Sequence, residues 1–164
     1  MQTGTDLLTA TCWQTQYELT LDLYTCAVES AYLNGDFDEM ERLAAIVLSA
    51  ARTILDKVKI YEIQISAQTA QNQMLKAIEI GRIALSELGI EFPLTPDVAR
   101  IDAGLKQISD RINGEKIEDL LYLPPNSNLH VLAKMNLLMA FFAAVYMRLP
   151  NLLPCISTAI VAVV

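Results

Sequence analysis

The side chains best suited to chemistry are three cysteines and a single histidine. They are Cys12, Cys26, Cys155 and His130. Zinc binding or thiol activation requires cysteine and histidine at close spacing, whereas these residues stand far apart and form no C-x-x-C pair. An odd number of cysteines also argues against a disulfide framework. We therefore expect reduced, partly buried thiols, which are typical of a cytoplasmic protein, and no metal site.

Carboxylates are densest in one short segment, at Asp36, Asp38, Glu39 and Glu41. A calcium loop would need the pattern D-x-[DN]-x-[DN]-G, which this segment lacks, whereas acidic residues are favoured in the first turn of a helix. The sequence also lacks a G-x-x-x-x-G-K-[ST] phosphate loop, the kinase motifs H-R-D and D-F-G, and the G-x-S-x-G of esterases. We therefore predict that the chain is not an enzyme and needs no cofactor.

Composition predicts a folded domain rather than a disordered chain. Of the 164 residues, 53% are hydrophobic and 19% are charged, which is enough apolar surface for a core. The net charge of −7 disfavours a nucleic-acid partner. Residues 1–13 carry no lysine or arginine ahead of a hydrophobic run, so we expect no secretory signal.

Hydrophobic spacing of three and four residues predicts that the elements carrying these side chains are helices. The predicted helices span residues 13–33, 37–53, 55–70, 73–88, 97–112 and 129–147, with a short turn at 117–121. Glycine, asparagine and proline clusters separate them. The β-branched tail, residues 156–164, fits either a strand or a terminal helix. The chain is therefore predicted to be all-α.

A shift of 37 residues aligns the first predicted helical hairpin with the second. The coinciding pairs include Leu23 with Ile60, Tyr24 with Tyr61, Val28 with Ile65, and Ala44 with Gly81. Asn72 falls on Gly35, and asparagine is the second choice where a turn is left-handed. Two positions disagree, since Ala27 and Ala31 fall on Gln64 and Gln68. We interpret the pattern as a repeat, although two unrelated amphipathic hairpins could also agree by chance.

The repeat unit resembles a slightly long tetratricopeptide repeat, so we predict antiparallel helical hairpins stacked as a short solenoid. Such units cannot bury their apolar faces alone, and stacking leaves a concave face built from the first helix of each pair. The residues predicted to project there are Asp22, Thr25, Glu29, Tyr32, Lys59, Glu62, Ser66 and Thr69. They are candidate ligand contacts, and the alternative is an ordinary solvated helix face.

Four segments carry a resemblance to a protein family: residues 19–24, 31–37, 89–93 and 117–125. They resemble the helical region of large bacterial and cyanobacterial signalling proteins that join a serine/threonine kinase, an AAA-type ATPase, often a GAF sensor, and a histidine kinase. The resemblance implies a fragment that acts in signal transduction, with the catalytic domains elsewhere. The chain departs from the family after Pro125, where the family usually continues with methionine and then Thr-Asp or Ser-Asp.

The last predicted helix is apolar on nearly every side, which requires cover on more than one face. We predict self-association, or packing on neighbouring repeats, through a surface formed by Leu138, Phe141, Phe142 and Val145. The alternative is a membrane-associated fragment, which we consider less favoured because Arg148 and two prolines follow the apolar run. The predicted organisation is a lead-in at 1–12, a repeat region at 13–123, and, at 124–164, a linker and an apolar C-terminal helix that is a truncated continuation of the repeat region. Its predicted function is that of a non-catalytic interaction scaffold.

Overall fold

The computed structural model describes residues 11–93, 95, 98–112 and 127–163. Every regular element in these ranges is helical, which confirms the predicted all-α class. The helices are α1 (Cys12–Thr15), α2 (Tyr17–Leu33), α3 (Phe37–Ala50), α4 (Ile54–Ala70), α5 (Met74–Glu87), α6 (Val98–Ile112), α7 (Leu129–Arg148) and α8 (Leu153–Val163). A 3₁₀ turn at Pro150–Leu152 precedes α8, so the described part of the tail is a helix. The turn predicted at 117–121 and most of the lead-in lie outside the described residues.

Two predicted helix boundaries are wrong, and both have local causes. The first helix is interrupted at Gln16, whose φ of −138° and ψ of 51° are not helical. Helix α3 ends at Ala50 because Thr53 caps α4. The Thr53 hydroxyl accepts a hydrogen bond from the Asp56 backbone N–H, and the Asp56 carboxylate accepts one from the Thr53 N–H at 2.9 Å. This reciprocal capping box fixes the start of α4.

The two helical hairpins have the same bounds, offset by the predicted 37 residues. Helices α2 and α4 each contain 17 residues, and helices α3 and α5 each contain 14. Both turns are left-handed, with φ of 74° at Gly35 and 58° at Asn72. The Asp36 N–H donates to the Ala31 carbonyl at 2.9 Å, and the equivalent bond after α4 measures 2.8 Å. The predicted repeat is therefore confirmed in its helix bounds and its turns.

The helices pack in an order that places α4 at the centre. Helices α2 and α3 pack on each other and on α4, while α4 and α5 pack on each other and on α7. Helix α8 packs on α7 and α6. One buried cluster joins the first hairpin to α4, around Val28, Met40 and Ile60. A second cluster joins α4 and α5 to α7 and α8, and its most buried side chains include Leu85, Phe141 and Ile156.

The two positions that disagree with the repeat form a polar contact between α3 and α4. The Gln64 and Gln68 side-chain amides donate to the two carboxylate oxygens of Glu41, at 2.7 and 3.0 Å. Both glutamines are buried, and burial strengthens a hydrogen bond to a charged acceptor. The residue 37 positions after Glu41 is Ile78, which is buried in the second cluster. The two hairpins therefore have the same backbone bounds, but position 41 makes a polar contact in the first and the equivalent Ile78 makes an apolar one in the second.

Helix α7 approaches α5 closely because residue 81 has no side chain. A Cβ atom at Gly81 would lie 2.3 Å from the Cδ2 atom of Phe141. The Phe141 side chain is fully buried and meets the Phe92 ring edge-to-face, with ring centroids 4.9 Å apart. The ring has little room to move, since protein interiors are close-packed. The glycine therefore sets the distance between α5 and α7.

We expect Gly81→Ala to destabilise the fold by about 1–3 kcal/mol through overpacking, despite the better helix propensity of alanine. Urea unfolding followed by circular dichroism measures the change. Phe141→Leu provides the paired variant, because a smaller side chain makes room for the new methyl group. The Phe141→Leu loss should be smaller in the Gly81→Ala background than in the wild type. Purely additive effects would contradict this contact.

Candidate functional site

A groove runs along helix α4 between helices α2 and α7, with a volume of about 470 Å³. Its lining residues are Glu29 and Tyr32 from α2, Lys59, Glu62, Ile63 and Ser66 from α4, and Asn136, Met139 and Ala140 from α7. Five of the eight residues predicted on the concave face are therefore brought together here. We call this feature the α2/α4/α7 groove. Whether these residues contact a ligand stays a prediction.

The other three predicted contacts lie beside the groove and do not line it. Asp22 is exposed seven residues before Glu29, on the same face of α2. Thr25 is half-buried between them. The Thr69 hydroxyl donates to the Ile65 carbonyl at 2.8 Å, so it is engaged within its own helix. The groove is therefore centred on the middle of α4.

Charged groups in the groove are held in one short network. The Lys59 ammonium lies 3.1 Å from a carboxylate oxygen of Glu29, which joins α4 to α2. Burial raises the pKa of the Glu62 carboxyl, while the positive charge of Lys59 and a hydrogen bond from Asn136 oppose that rise. The groove thus holds a carboxylate that is partly removed from water. Such groups are concentrated at sites of interaction and catalysis.

The α7 side of the groove was missed by sequence reasoning. Asn136, Met139 and Ala140 are spaced by three and four residues, which places them on one side of the helix. The 37-residue offset does not reach this helix, because α6 and the residues before α7 intervene. The usable signal was Asn136, an amide that stands immediately before the continuous apolar run from Leu137 to Met147. An amide side chain beside an apolar run indicates a position that is exposed to solvent.

The predicted association surface on α7 is wrong for three of its four residues. Leu138, Phe141 and Val145 are fully buried inside this chain. Helices α4, α5 and α8 cover them, whereas we expected that later repeats would be needed. Phe142 is the exception, with 37% of its surface exposed. The exposed side of α7 is therefore rotated away from the predicted one.

Among the described residues, α7 is the one helix that is long and apolar enough to cross a bilayer. Its mean hydropathy is 1.6 over the most apolar window. The core helix of a soluble protein passes the same test, so the observation is weak evidence for a membrane span. The fully buried Phe141 places one face of α7 in protein contact.

The cysteines, the histidine and the acidic cluster do not converge. Cys155 is buried and Cys12 is half-buried, but Cys26 is exposed, contrary to the expectation of three partly buried thiols. Asp36 caps α3 by accepting a hydrogen bond from the Glu39 N–H. Within the described ranges, no group of three or more metal-ligating side chains comes together. Of these residues, Asp36 has a defined local role as the N-cap of α3.

No family model, no curated protein and no solved structure matches this chain. The resemblance to the helical region of bacterial signalling proteins therefore stays a prediction. What the chain itself provides is the groove, its charge network and the helices that position them.

We expect Glu62→Gln to raise the free energy of unfolding at pH 7. Because the folded-state pKa of Glu62 is raised, its charged form opposes folding above that pKa, and the opposition disappears below the unfolded pKa of about 4.3. The gain should therefore vanish near pH 3. Urea unfolding midpoints at the two pH values measure it.

Asp56→Asn provides the control of opposite sign. Burial tends to raise the pKa of Asp56, but hydrogen bonds from Tyr17, Thr53 and Arg52 outweigh burial and lower it. A lowered pKa stabilises the fold above the unfolded value of about 3.9 and is lost on acidification. Asp56→Asn should therefore destabilise the chain at pH 7 and have less effect near pH 3. Equal effects of both substitutions would contradict the assignment.

Proposed function

We propose that the chain is a non-catalytic helical-repeat module that binds a segment of another protein in the α2/α4/α7 groove. The observation that carries the proposal is the convergence of three helices on that groove. Five residues selected from the sequence as concave-face contacts line it together with three from α7. Grooves between helices are common sites for an extended or helical partner segment.

A tetratricopeptide-like solenoid accounts for the order in which the helices pack. The α2–α3 hairpin packs on α4 in the way that the α4–α5 hairpin packs on α7. In this arrangement α2, α4 and α7 are the first helices of successive units, and the groove is their shared inner face. Helix α6 is then an insertion between the second unit and the third. The matching hairpin bounds support the proposal.

The groove chemistry fits a peptide better than a small cofactor. Its polar groups are two carboxylates, one ammonium, two hydroxyls and one amide, which suit backbone and side-chain hydrogen bonds. Ile63, Met139 and Ala140 add apolar contact area between those groups. Cofactor pockets are more enclosed and have fewer, convergent polar groups. The occupant proposed is therefore a partner segment with mixed polar and apolar residues.

The signalling context rests on the resemblance of the sequence. A helical region between a kinase–ATPase portion and a sensor portion would transmit contact rather than perform chemistry. The α2/α4/α7 groove supplies a surface for such contact, and a cytoplasmic location follows from the same proposal. A membrane-associated role is the second candidate, favoured by the apolar exposed side of α7.

Site-directed photocrosslinking in the source cells tests the groove. A benzoyl-phenylalanine at Tyr32 keeps an aromatic residue in the groove, and the same group at exposed Glu79 on α5 is the control. We expect a discrete crosslinked protein from position 32 that is absent from position 79. Lys59→Glu should reduce the crosslink, because it replaces the Glu29 ion pair with two like charges. Identical crosslinks at both positions would count against the groove.

The purified chain should show no ATP hydrolysis and no phosphate transfer. The reason is the absence from the sequence of a phosphate loop and of the kinase motifs. A coupled assay for released phosphate measures turnover at each purification step. Activity that follows the chain through purification and disappears on substitution of one of its residues would overturn the proposal.

A further inference from the structure

A cavity of about 450 Å³ lies between helices α6 and α8. The loop after α5, residues 89–93, forms one wall, and side chains of α6 and α8 form two others. Helix α7 contributes Lys134. We call this feature the α6/α8 cavity. Its volume falls within the range of about 300–1,000 Å³ that is usual for small-molecule sites.

The α6/α8 cavity and the α2/α4/α7 groove lie on different sides of helix α7. Lys134 lines the cavity and Asn136 lines the groove. Positions two residues apart are separated by about 200° around a helix axis, so these two side chains point in nearly opposite directions. Among the described residues, none lines both features. A ligand in the cavity is therefore independent of the function proposed for the groove.

Apolar side chains form most of the cavity wall. Phe92 is buried, and Ile101 and Ala159 are half-buried. Ile101, Ala159 and Val163 also pack against the second buried cluster, which makes these walls continuous with the core. An aliphatic chain placed against such walls is stabilised in proportion to the apolar area that it removes from water. The cavity therefore suits a ligand with an apolar body.

Lys134 places a cation in this apolar setting. It is half-buried, and among the described residues no carboxylate lies within ion-pair distance of it. Removal of an ammonium group from water is costly unless an anion or a hydrogen-bond acceptor compensates. Glu91 also lines the cavity, but it is exposed, so its carboxylate is hydrated at the mouth. An anion that enters the cavity therefore meets an ammonium group that has no carboxylate partner among the described residues.

Two further polar side chains of the cavity, those of Cys155 and Thr158, do not compete with Lys134 for an anion. The Thr158 hydroxyl donates to the Cys155 backbone carbonyl at 2.9 Å, so its proton is already engaged. The Cys155 thiol is at most a weak hydrogen-bond donor. The position of Lys134 therefore determines where the polar end of a ligand lies.

We propose that the α6/α8 cavity binds a single-chain aliphatic carboxylate, such as a medium-chain fatty acid. The carboxylate pairs with the Lys134 ammonium through charge-assisted hydrogen bonds, which are stronger than neutral ones. The chain lies against Phe92, Ile101 and Ala159, where its methylene groups are removed from water. A volume of about 450 Å³ accommodates one such chain and is too small for a lipid with two long chains.

Isothermal titration calorimetry of the purified chain with decanoate tests the proposal. We expect saturable binding of one decanoate per chain, with a dissociation constant of about 10–100 µM. Decyltrimethylammonium has a chain of the same length and a cationic head, so it measures apolar attraction without the carboxylate. It should bind at least about 10-fold more weakly, because it places a second positive charge beside Lys134.

Lys134→Met removes the ammonium group and keeps an unbranched side chain. It should weaken decanoate binding by about 10-fold or more, which is the usual effect of losing a hydrogen bond to a charged group. It should also abolish the preference for decanoate over the cationic compound. Lys76→Met on α5 is the matched control, because Lys76 is exposed and does not line the cavity. Its affinity for decanoate should stay within about twofold of that of the wild type.

A cavity-filling substitution tests where the chain of the ligand lies. Ala159→Phe places a ring in the space that the aliphatic chain would occupy, so decanoate binding should be lost. Circular dichroism confirms that each variant is folded, and Ala159→Leu replaces the larger substitution if that variant is not.

The proposal is overturned if the wild-type chain shows no saturable decanoate binding, or if it binds the two compounds equally. Equal weakening by Lys134→Met and Lys76→Met would assign the attraction to general charge and overturn it as well. Decanoate binding that Ala159→Phe leaves unchanged would place the ligand elsewhere on the chain, with the same consequence. None of these results bears on the α2/α4/α7 groove, which the Tyr32 crosslink tests separately.

Discussion

The contact of Phe141 with the bare backbone of Gly81 determines how closely helix α7 approaches α5, and the second buried cluster depends on that approach. A Cβ atom at residue 81 would lie 2.3 Å from this ring, so the absence of a side chain there allows α7 to lie close to α5. That approach buries Leu137, Leu138 and Val145 in the second cluster. It also brings Met139 to the edge of α4, where it completes the α2/α4/α7 groove. One missing side chain therefore positions one side of the proposed binding surface.

Hydrophobic spacing and turn residues made the two hairpins predictable from the sequence. Tertiary contacts decided which face of α7 is buried, which the sequence could not indicate. The 37-residue offset followed from the aligned hydrophobic positions, and it placed Asn72 on Gly35, at a left-handed turn that asparagine tolerates. The side of α7 that is buried could not be assigned, because nearly every position on that helix is apolar and periodicity gives no direction. Leu138 and Phe142 are neighbours of the same character, and only packing against α4, α5 and α8 separates a buried face from an exposed one.

Two carboxylates on helix α4 have opposite effects on the stability of the fold. Asp56 at its start is held by hydrogen bonds that lower its pKa, so its charge supports the fold. Glu62, less than two turns later, is partly buried and has a raised pKa, so its charge opposes the fold. A carboxylate kept in such a place interacts strongly with any partner group that neutralises it. The same helix thus anchors the hairpin at one end and places a partly buried carboxylate in the groove, where Lys59 and Asn136 offset part of the effect of burial.

The contact of Glu41 with Gln64 and Gln68 distinguishes the first hairpin from the second, which has no equivalent of it. Repeated units with the same backbone can mispair during folding by slipping a whole unit, with one first helix taking the place of the next. In that slipped pairing Glu41 would face Ala27 and Ala31, which offer no side-chain hydrogen-bond donor to its half-buried carboxylate. Losing two hydrogen bonds to a charged acceptor disfavours the slipped pairing. The departure from perfect repetition therefore favours the native pairing of the hairpins over the slipped one.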